Sequence, residues 1–126
     1  VTLLGVNLDN PKGYGRVVTD AGGNVRHIVE EADATDAEKK LKTINSGIYS
    51  VRRDFLESAL ERLRPDNAQK EIYLTDIIGI AVNATEPVGM LLAEQYTELL
   101  GINTLEDLRL VETLLPDSGK NLDFEI

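Results

Sequence analysis

Two glycine-containing turns lie close together early in the chain and limit what this part of it can form. The segment DNPKGYG, residues 9–15, is followed after one short apolar run by DAGGN, residues 20–24. Glycine adopts positive φ and lets other groups approach the main chain, whereas proline fixes φ and interrupts regular structure. The run between the turns, YGRVVT, and the run after them, VRHIVEE, are therefore predicted to pair as a β-hairpin.

Strand-like and helix-like segments alternate along the rest of the chain. VTLLGVNL, TINSGIYSVR and EPVGMLLAE have strand character, and Gly47 within the second of them indicates either a bulge or a close approach by another group. Helices are predicted for residues 37–41 with Thr35 or Asp36 as the cap, for DFLESALERL with Asp54 as its cap, for LTDIIGIAVN, and after Thr104. The pattern predicts an α/β fold with a mixed sheet, a β-hairpin and flanking helices, forming a single domain over residues 1–126.

The charge balance excludes several classes of partner. The chain of 126 residues has 22 acidic and 13 basic side chains, which gives a net charge of −9. Such a surface repels nucleic acid and anionic lipid, so neither nucleic acid nor a membrane is predicted as a partner. There is no cysteine, which excludes disulfides and thiolate metal sites, and no long apolar or signal-like segment. A cytoplasmic location is the expectation.

Common catalytic signatures are weak in this sequence. His27 is the only histidine, and because no serine or cysteine motif accompanies it, it is interpreted as an ordinary strand residue. GYGRVV lacks the third glycine and the following helix of a phosphate-binding loop. Neither a hydrolase triad nor a phosphate loop is predicted.

Three polar residues are candidates for a binding site, although each also has an ordinary structural explanation. Glu30 ends a predicted strand, where its carboxylate could accept hydrogen bonds from hydroxyl groups. Asn45 precedes Gly47 and could donate to and accept from a sugar, or simply stabilise a turn. Asn103 precedes Thr104 and could belong to a helix cap or could ligate Mg²⁺ through its oxygen.

Four motifs in register make a family resemblance specific. DNPKGYGRVVTDAGGNVRHIVEEADAT, INSGIY, DNAQKEIYLTDII and LLGINTLEDL resemble, in this order and spacing, the second half of the uridyltransferase domain of N-acetylglucosamine-1-phosphate uridyltransferases (GlmU-type). The resemblance implies a partial Rossmann-like nucleotidyltransferase domain. It also implies transfer of uridylyl from UTP to a sugar 1-phosphate, with Mg²⁺ as cofactor and a UDP-sugar and pyrophosphate as products.

The resemblance also implies roles for particular residues. Gly15 matches the second glycine of the family's GYGR motif, whose backbone faces the sugar nucleotide. Glu30 matches the glutamate that holds sugar hydroxyls, and Asn45 matches the asparagine that contacts the amino sugar. Asn103 matches the asparagine that binds substrate and Mg²⁺. The sugar-side residues Gly15, Glu30, Asn45 and Asn103 are therefore the predicted substrate-binding set, and no catalytic residue is assigned.

Several departures from the family pattern leave the sugar specificity open. Ala32 replaces a lysine, Thr43 replaces a glutamate, and Lys70 and Ile72 change the family's NAQGEYYLTD. The family's glycine-rich nucleotide loop, its metal-binding aspartate and its β-helix acetyltransferase domain are also missing from this sequence. The chain is therefore interpreted as the sugar-binding half of the domain. It is expected to be inactive alone and to self-associate through surface that a missing half would cover. The alternative is a non-catalytic interaction or regulatory module.

Overall fold

A computed structural model describes residues 1–99, 101–102 and 104–114. By internal contacts the chain divides into two compact units, residues 1–94 and the residues from Gln95 onward, and each is described by itself. The prediction of one domain over residues 1–126 stays a prediction.

Five strands form a mixed sheet in the first unit: β1 (Thr2–Asn7), β2 (Arg16–Thr19), β3 (Val25–Val29), β4 (Thr43–Ser50) and β5 (Gly89–Leu92). Their order across the sheet is β3-β2-β4-β1-β5. The β1–β5 pair is parallel, and the other neighbouring pairs are antiparallel. The predicted hairpin is β2–β3, whose turn is closed by Asp20. The mixed sheet and flanking helices confirm the predicted fold class.

Two helices cover one face of this sheet and enclose the main core. They are α1 (Arg53–Leu60) and α2 (Asp76–Asn83), and α2 packs against β3. Apolar residues recur at helical spacing along both helices, so each presents one apolar face to the sheet. Burial of that face provides most of the driving force for folding of this unit. The buried residues of the core are Leu3, Val17, Val25, Ile28, Ala59, Leu63, Ile77 and Ile78.

A second buried group lies on the other face of the sheet and contains a charge. Val6 pairs with Ile44, Ile44 pairs with Arg16, and all three side chains are buried. Arg16 is only 1% exposed, and its guanidinium bonds to Glu31 at 2.7 Å and donates to the carbonyls of Tyr14 and Lys39. Since a buried charge needs partners, these contacts fix the turn before β2 and the loop after β3 to the same arginine.

The starts of the first two predicted helices differ from the predicted caps. The cap position of the short 3₁₀ helix Glu38–Lys40 is Ala37, although the Thr35 hydroxyl accepts a hydrogen bond from the Glu38 N–H and the Thr35 N–H donates to the Glu38 carboxylate. The prediction that Asp54 caps α1 is wrong, because Arg52 occupies that position and Asp54 lies in the first turn, paired with Arg52. Its negative charge still favours the helix N-terminus.

The second unit contains a 3₁₀ helix, Tyr96–Leu99, and α3 (Leu105–Leu114). Thr104 caps α3 as predicted: its hydroxyl accepts the Asp107 N–H at 3.1 Å, and its own N–H donates to the Asp107 carboxylate at 2.8 Å. This reciprocal pair is the capping box, which satisfies two donors of the first turn.

Lys70, one of the departures from the family pattern, has a left-handed backbone conformation with φ of 57°. A side chain in this region costs about 1–2 kcal/mol, and glycine, the residue of the family motif, avoids that cost. Lys70→Gly is therefore expected to raise the free energy of unfolding by about 0.5 kcal/mol, because the relieved strain exceeds the extra entropy of glycine in the unfolded chain. Urea denaturation followed by circular dichroism measures the change.

Lys40→Gly is the matched control, because Lys40 lies in the 3₁₀ helix and its backbone needs no glycine. That variant should lose about 0.5 kcal/mol through reduced helix propensity. If the Lys70→Gly variant is less stable than the parent, the lysine side chain contributes more to the free energy of unfolding than its backbone strain costs.

Apolar side chains remain exposed on β4 and β5. Ile48, Leu91 and Leu92 are each more than half exposed. Together with Thr2 and Leu4, Ile48 and Leu91 line a groove of about 200 Å³. Among the helices described, none is both long enough and apolar enough to cross a lipid bilayer.

Candidate functional site

Gly15 and Glu30 face each other where β2 begins and β3 ends. A Cβ on Gly15 would lie 3.0 Å from Glu30 Oε2, 3.2 Å from Glu30 Oε1 and 3.2 Å from Ile28 Cγ2. The absence of a side chain at Gly15 is thus what allows the carboxylate to sit against the main chain. The φ of Gly15 is not positive, so glycine is required here for space and not for backbone conformation.

Asn45 joins this pair through the backbone of β4. Its N–H donates to the Gly15 carbonyl at 2.9 Å. Its side-chain Oδ1 accepts the N–H of Gly47 at 3.1 Å, and Gly47 has a φ of 80°. This left-handed residue belongs to the predicted bulge, which appears as a register shift between the Leu3–Tyr49 and Gly5–Asn45 pairs. The bulge therefore fixes the direction of the Asn45 amide.

Tyr49 lies beside Asn45, and its hydroxyl is shielded from solvent. No described residue meets the geometry of a hydrogen bond to this hydroxyl. Burial raises the pKa of Tyr49 to about 12, the Asn45 amide partly opposes this, and the charge of Glu30 adds to it. Tyr49 is thus a neutral phenol next to the predicted sugar-binding residues.

A third segment reaches the same place from the start of α2. The Thr75 hydroxyl donates to Glu30 Oε1 at 3.0 Å, across 45 residues of sequence. Because this bond engages one carboxylate oxygen, Oε2 retains its capacity to accept further hydrogen bonds. Thr75 therefore sets the orientation of Glu30.

A cavity of about 210 Å³ adjoins Glu30 on the side of the loop that precedes α2, and Glu30, Asp33, Asn67, Tyr73 and Asp76 are among its lining residues. Partial burial, with a smaller contribution from the neighbouring Asp33, raises the pKa of Asp76. Polar and acidic side chains surround this cavity, so it is suited to ligands that present hydroxyl and N–H donors.

Arg16 and Glu31 support the turn that holds Gly15. Partial burial opposes ionisation of Glu31, but hydrogen bonds from Arg16 and from the Gly13 N–H outweigh it and hold the pKa of Glu31 below its usual range. The GYGR turn is thus fixed by a charge-assisted contact from its own arginine.

The structure brings together three of the four predicted site residues, Gly15, Glu30 and Asn45. Asn103 lies outside the described residues, and its role stays a prediction. Thr75 and Tyr49 were not singled out from the sequence, although both lie in the motifs that carry the family resemblance. A hydroxyl residue within a matching motif was the signal that could have identified them.

Two other residues considered from the sequence lie at positions with ordinary structural explanations. His27 is on β3, about half exposed, with Nε2 3.7 Å from Glu38 Oε1. Thr43, where the family has glutamate, donates from its hydroxyl to the Asn7 side chain at 2.8 Å, across β4 and β1.

Comparison with known sequences decides the family. The profile of the family described as Nucleotidyl transferase matches residues 1–118, which is most of the chain. The chain belongs to the nucleotidyl transferase family. Three curated relatives bear the name Bifunctional protein GlmU. That of Desulfotalea psychrophila is 46% identical over 112 residues, 89% of this chain and 33% of the relative.

The other two relatives give similar values. The protein of Corynebacterium efficiens is 48% identical over 103 residues, 82% of this chain and 21% of its own length. That of Pelotomaculum thermopropionicum is 48% identical over 114 residues, 90% of this chain and 25% of its own length. This nucleotidyl transferase chain therefore spans about a fifth to a third of the length of the relatives it matches.

Proposed function

We propose that this chain supplies the sugar-binding side of a sugar-1-phosphate uridylyltransferase, with N-acetylglucosamine 1-phosphate as the first candidate substrate. The convergence of Gly15, Glu30 and Asn45, from β2, the end of β3 and β4, is the single observation that carries the proposal. A carboxylate and an amide provide the acceptors and donors that a hydroxylated ring with an N-acetyl group requires.

The reaction would proceed in line. A phosphate oxygen of the sugar 1-phosphate attacks the α-phosphorus of UTP, a new P–O bond forms, and the bond from the α-phosphorus to the leaving oxygen breaks to release pyrophosphate. In this step the residues of the chain bind and orient the sugar 1-phosphate. Glu30 accepts hydrogen bonds from sugar hydroxyls, and Asn45 contacts the acylated amine. The reaction needs no proton transfer from Glu30 or Asn45. The contribution of these residues is therefore to position the sugar 1-phosphate.

Mg²⁺ is part of the proposal only through Asn103. In the parts of the chain that the structure describes, no group of three or more histidine or acidic side chains is arranged to hold a metal ion. The described residues therefore do not form a metal site by themselves, and no step is assigned to one. A bound Mg²⁺ would neutralise charge on the phosphates during transfer.

The test uses the complete gene product with UTP and a panel of sugar 1-phosphates. Pyrophosphate release is expected with N-acetylglucosamine 1-phosphate, and EDTA should abolish it until Mg²⁺ is restored. Glucose 1-phosphate, which lacks the acylated amine, should react at least tenfold more slowly, because the Asn45 contact is lost. Absence of pyrophosphate release with every sugar would contradict the proposal.

The isolated chain provides a second measurement. It is expected to bind UDP-N-acetylglucosamine without turnover, and NMR shift changes should be largest at Gly15, Glu30 and Asn45. Saturation without shifts at these positions would place the ligand elsewhere.

We also propose that the isolated chain self-associates through the exposed Ile48, Leu91 and Leu92 side chains. Light scattering as a function of concentration would measure this association.

A further inference from the structure

Asp33 lies outside the predicted binding set, yet its position is fixed relative to Glu30. The N–H groups of Asp33 and Ala34 both donate to the Glu30 carbonyl at 3.0 Å, and the Ala34 side chain is buried. These bonds form a tight turn directly after β3. The Asp33 carboxylate is therefore held at a defined place one turn beyond Glu30.

The Asp33 carboxylate binds the loop that leads into α2. Its Oδ1 accepts the Ala68 N–H at 2.7 Å, across 35 residues of sequence. A carboxylate that accepts a backbone N–H at this length makes a charge-assisted hydrogen bond, the stronger kind. The loop is ordered internally as well, because the Asn67 side chain bonds to the N–H and the carbonyl of Glu71.

The same loop returns to the end of β3 at Thr75. Its hydroxyl donates to Glu30 Oε1 at 3.0 Å. The segment from Ala68 to Thr75 is thus attached at both ends to one short stretch of chain, first at Asp33 and then at Glu30. Between these two points Tyr73 lines the cavity beside Glu30 and bonds to Gln69.

We propose that Asp33 is a positioning residue for the sugar 1-phosphate: it anchors residues 68–75 so that Thr75 holds the Glu30 carboxylate against Gly15. This inference rests on the proposed function, because it assigns Asp33 a role in the same sugar site. Without the anchor at Ala68, the segment loses its bond to Asp33 and keeps the bond from Thr75 to Glu30. The Glu30 carboxylate then samples orientations that do not face the sugar, and affinity for the sugar falls while the nucleotide side is unaffected.

The anchor can be removed and restored with two substitutions. Asp33→Ala removes the acceptor, whereas Asp33→Asn keeps an oxygen in place without the charge. Asp36→Ala is the matched control, because Asp36 is an exposed aspartate three residues further along whose carboxylate takes part in none of these bonds. Glu30→Gln, which alters the proposed sugar contact itself, is the reference variant.

Steady-state kinetics of the complete gene product separates a positioning role from general destabilisation. Asp33→Ala should raise the KM for N-acetylglucosamine 1-phosphate about tenfold, the low end of the range for loss of one hydrogen bond to a charged group, and leave the KM for UTP and kcat within about twofold. Asp33→Asn should recover most of the sugar KM, and Asp36→Ala should match the parent. In the Asp33→Ala chain, amide hydrogen exchange of residues 66–75 should also accelerate.

Each contrary result has a definite meaning. If Asp33→Ala leaves the KM for the sugar 1-phosphate unchanged while Glu30→Gln raises it, the inference is overturned and the proposed function remains intact. A parallel rise of both KM values in Asp33→Ala shows a general structural role and also overturns it. An unchanged sugar KM in Glu30→Gln contradicts the proposed function, and the inference fails with it.

Discussion

Replacing Gly15 by alanine is expected to weaken binding of the sugar nucleotide about tenfold to a hundredfold, because a hydrogen bond to a charged group is worth about 1.5–3 kcal/mol. The new methyl group would lie 3.0 Å and 3.2 Å from the two oxygens of Glu30. The carboxylate is the flexible end of a side chain, so it would move away and abandon its bond to Thr75. Calorimetric titration with UDP-N-acetylglucosamine measures the effect.

Two comparisons show whether this effect arises at Glu30. Gly79→Ala is the matched control, since a Cβ there meets nothing closer than His27 Cβ at 3.8 Å; it should retain affinity and gain about 0.5–1 kcal/mol of stability in α2. In a Glu30→Ala background, Gly15→Ala should cause little further loss of affinity, because both changes remove the same contact. Additive losses would mean that Gly15 acts through its own backbone and not through the carboxylate.

Replacing Arg16 by alanine is expected to lower the free energy of unfolding by about 3 kcal/mol, within the range for removing one partner of a buried ion pair. The guanidinium is almost completely buried and bonds to Glu31 and to the Tyr14 and Lys39 carbonyls. Its loss leaves a cavity and unpaired acceptors. Urea denaturation at neutral pH measures the change, and Arg26→Ala, at an exposed position of β3, should change stability by less than about 0.5 kcal/mol.

The pH dependence of stability provides an independent check on this pair. The pKa of Glu31 is held below its usual value in the folded chain. The pairing therefore contributes stability above the ordinary pKa of 4.5, and this contribution is lost as the pH falls through the lower folded value. Arg16→Ala should lose less stability than the parent over this acidic range. If Arg16→Ala costs less than 1 kcal/mol and its acid profile matches the parent, the arginine does not stabilise the turn.

Local features of the fold could be predicted from the sequence because they depend on neighbouring residues. The β2–β3 hairpin follows from its turn residues, the bulge from Gly47, and the cap of α3 from Thr104. Glu30 and Asn45 were candidates from their residue types and positions, and the family resemblance added Gly15 and implied a role for each. The proximity of the three residues could not be derived from their spacing. Gly15, Glu30 and Asn45 lie on three elements that only the assembled sheet brings together.

Contacts between distant residues could not be predicted. Nothing in the sequence shows that Thr75 meets Glu30, that Asp33 binds Ala68, or that β4 lies between β2 and β1. Arginine side chains are rarely buried, so residue type alone predicts that Arg16 lies on the surface. In the structure, its ion pair with Glu31 makes burial of Arg16 favourable. Asp54 is predicted as a cap because its residue type is preferred there, but the cap of α1 is Arg52, two residues earlier.

The order of strands in the sheet has a consequence for synthesis of the chain. β1 is made before either of its neighbours in the sheet; Asn7 bonds to Thr43, which is 36 residues later, and Thr2 pairs with Gly89 later still. While the ribosome extends the chain, the β2–β3 hairpin can close locally, but the apolar β1 has neither flanking strand. This strand is therefore the segment that most needs protection from other nascent chains until β4 emerges.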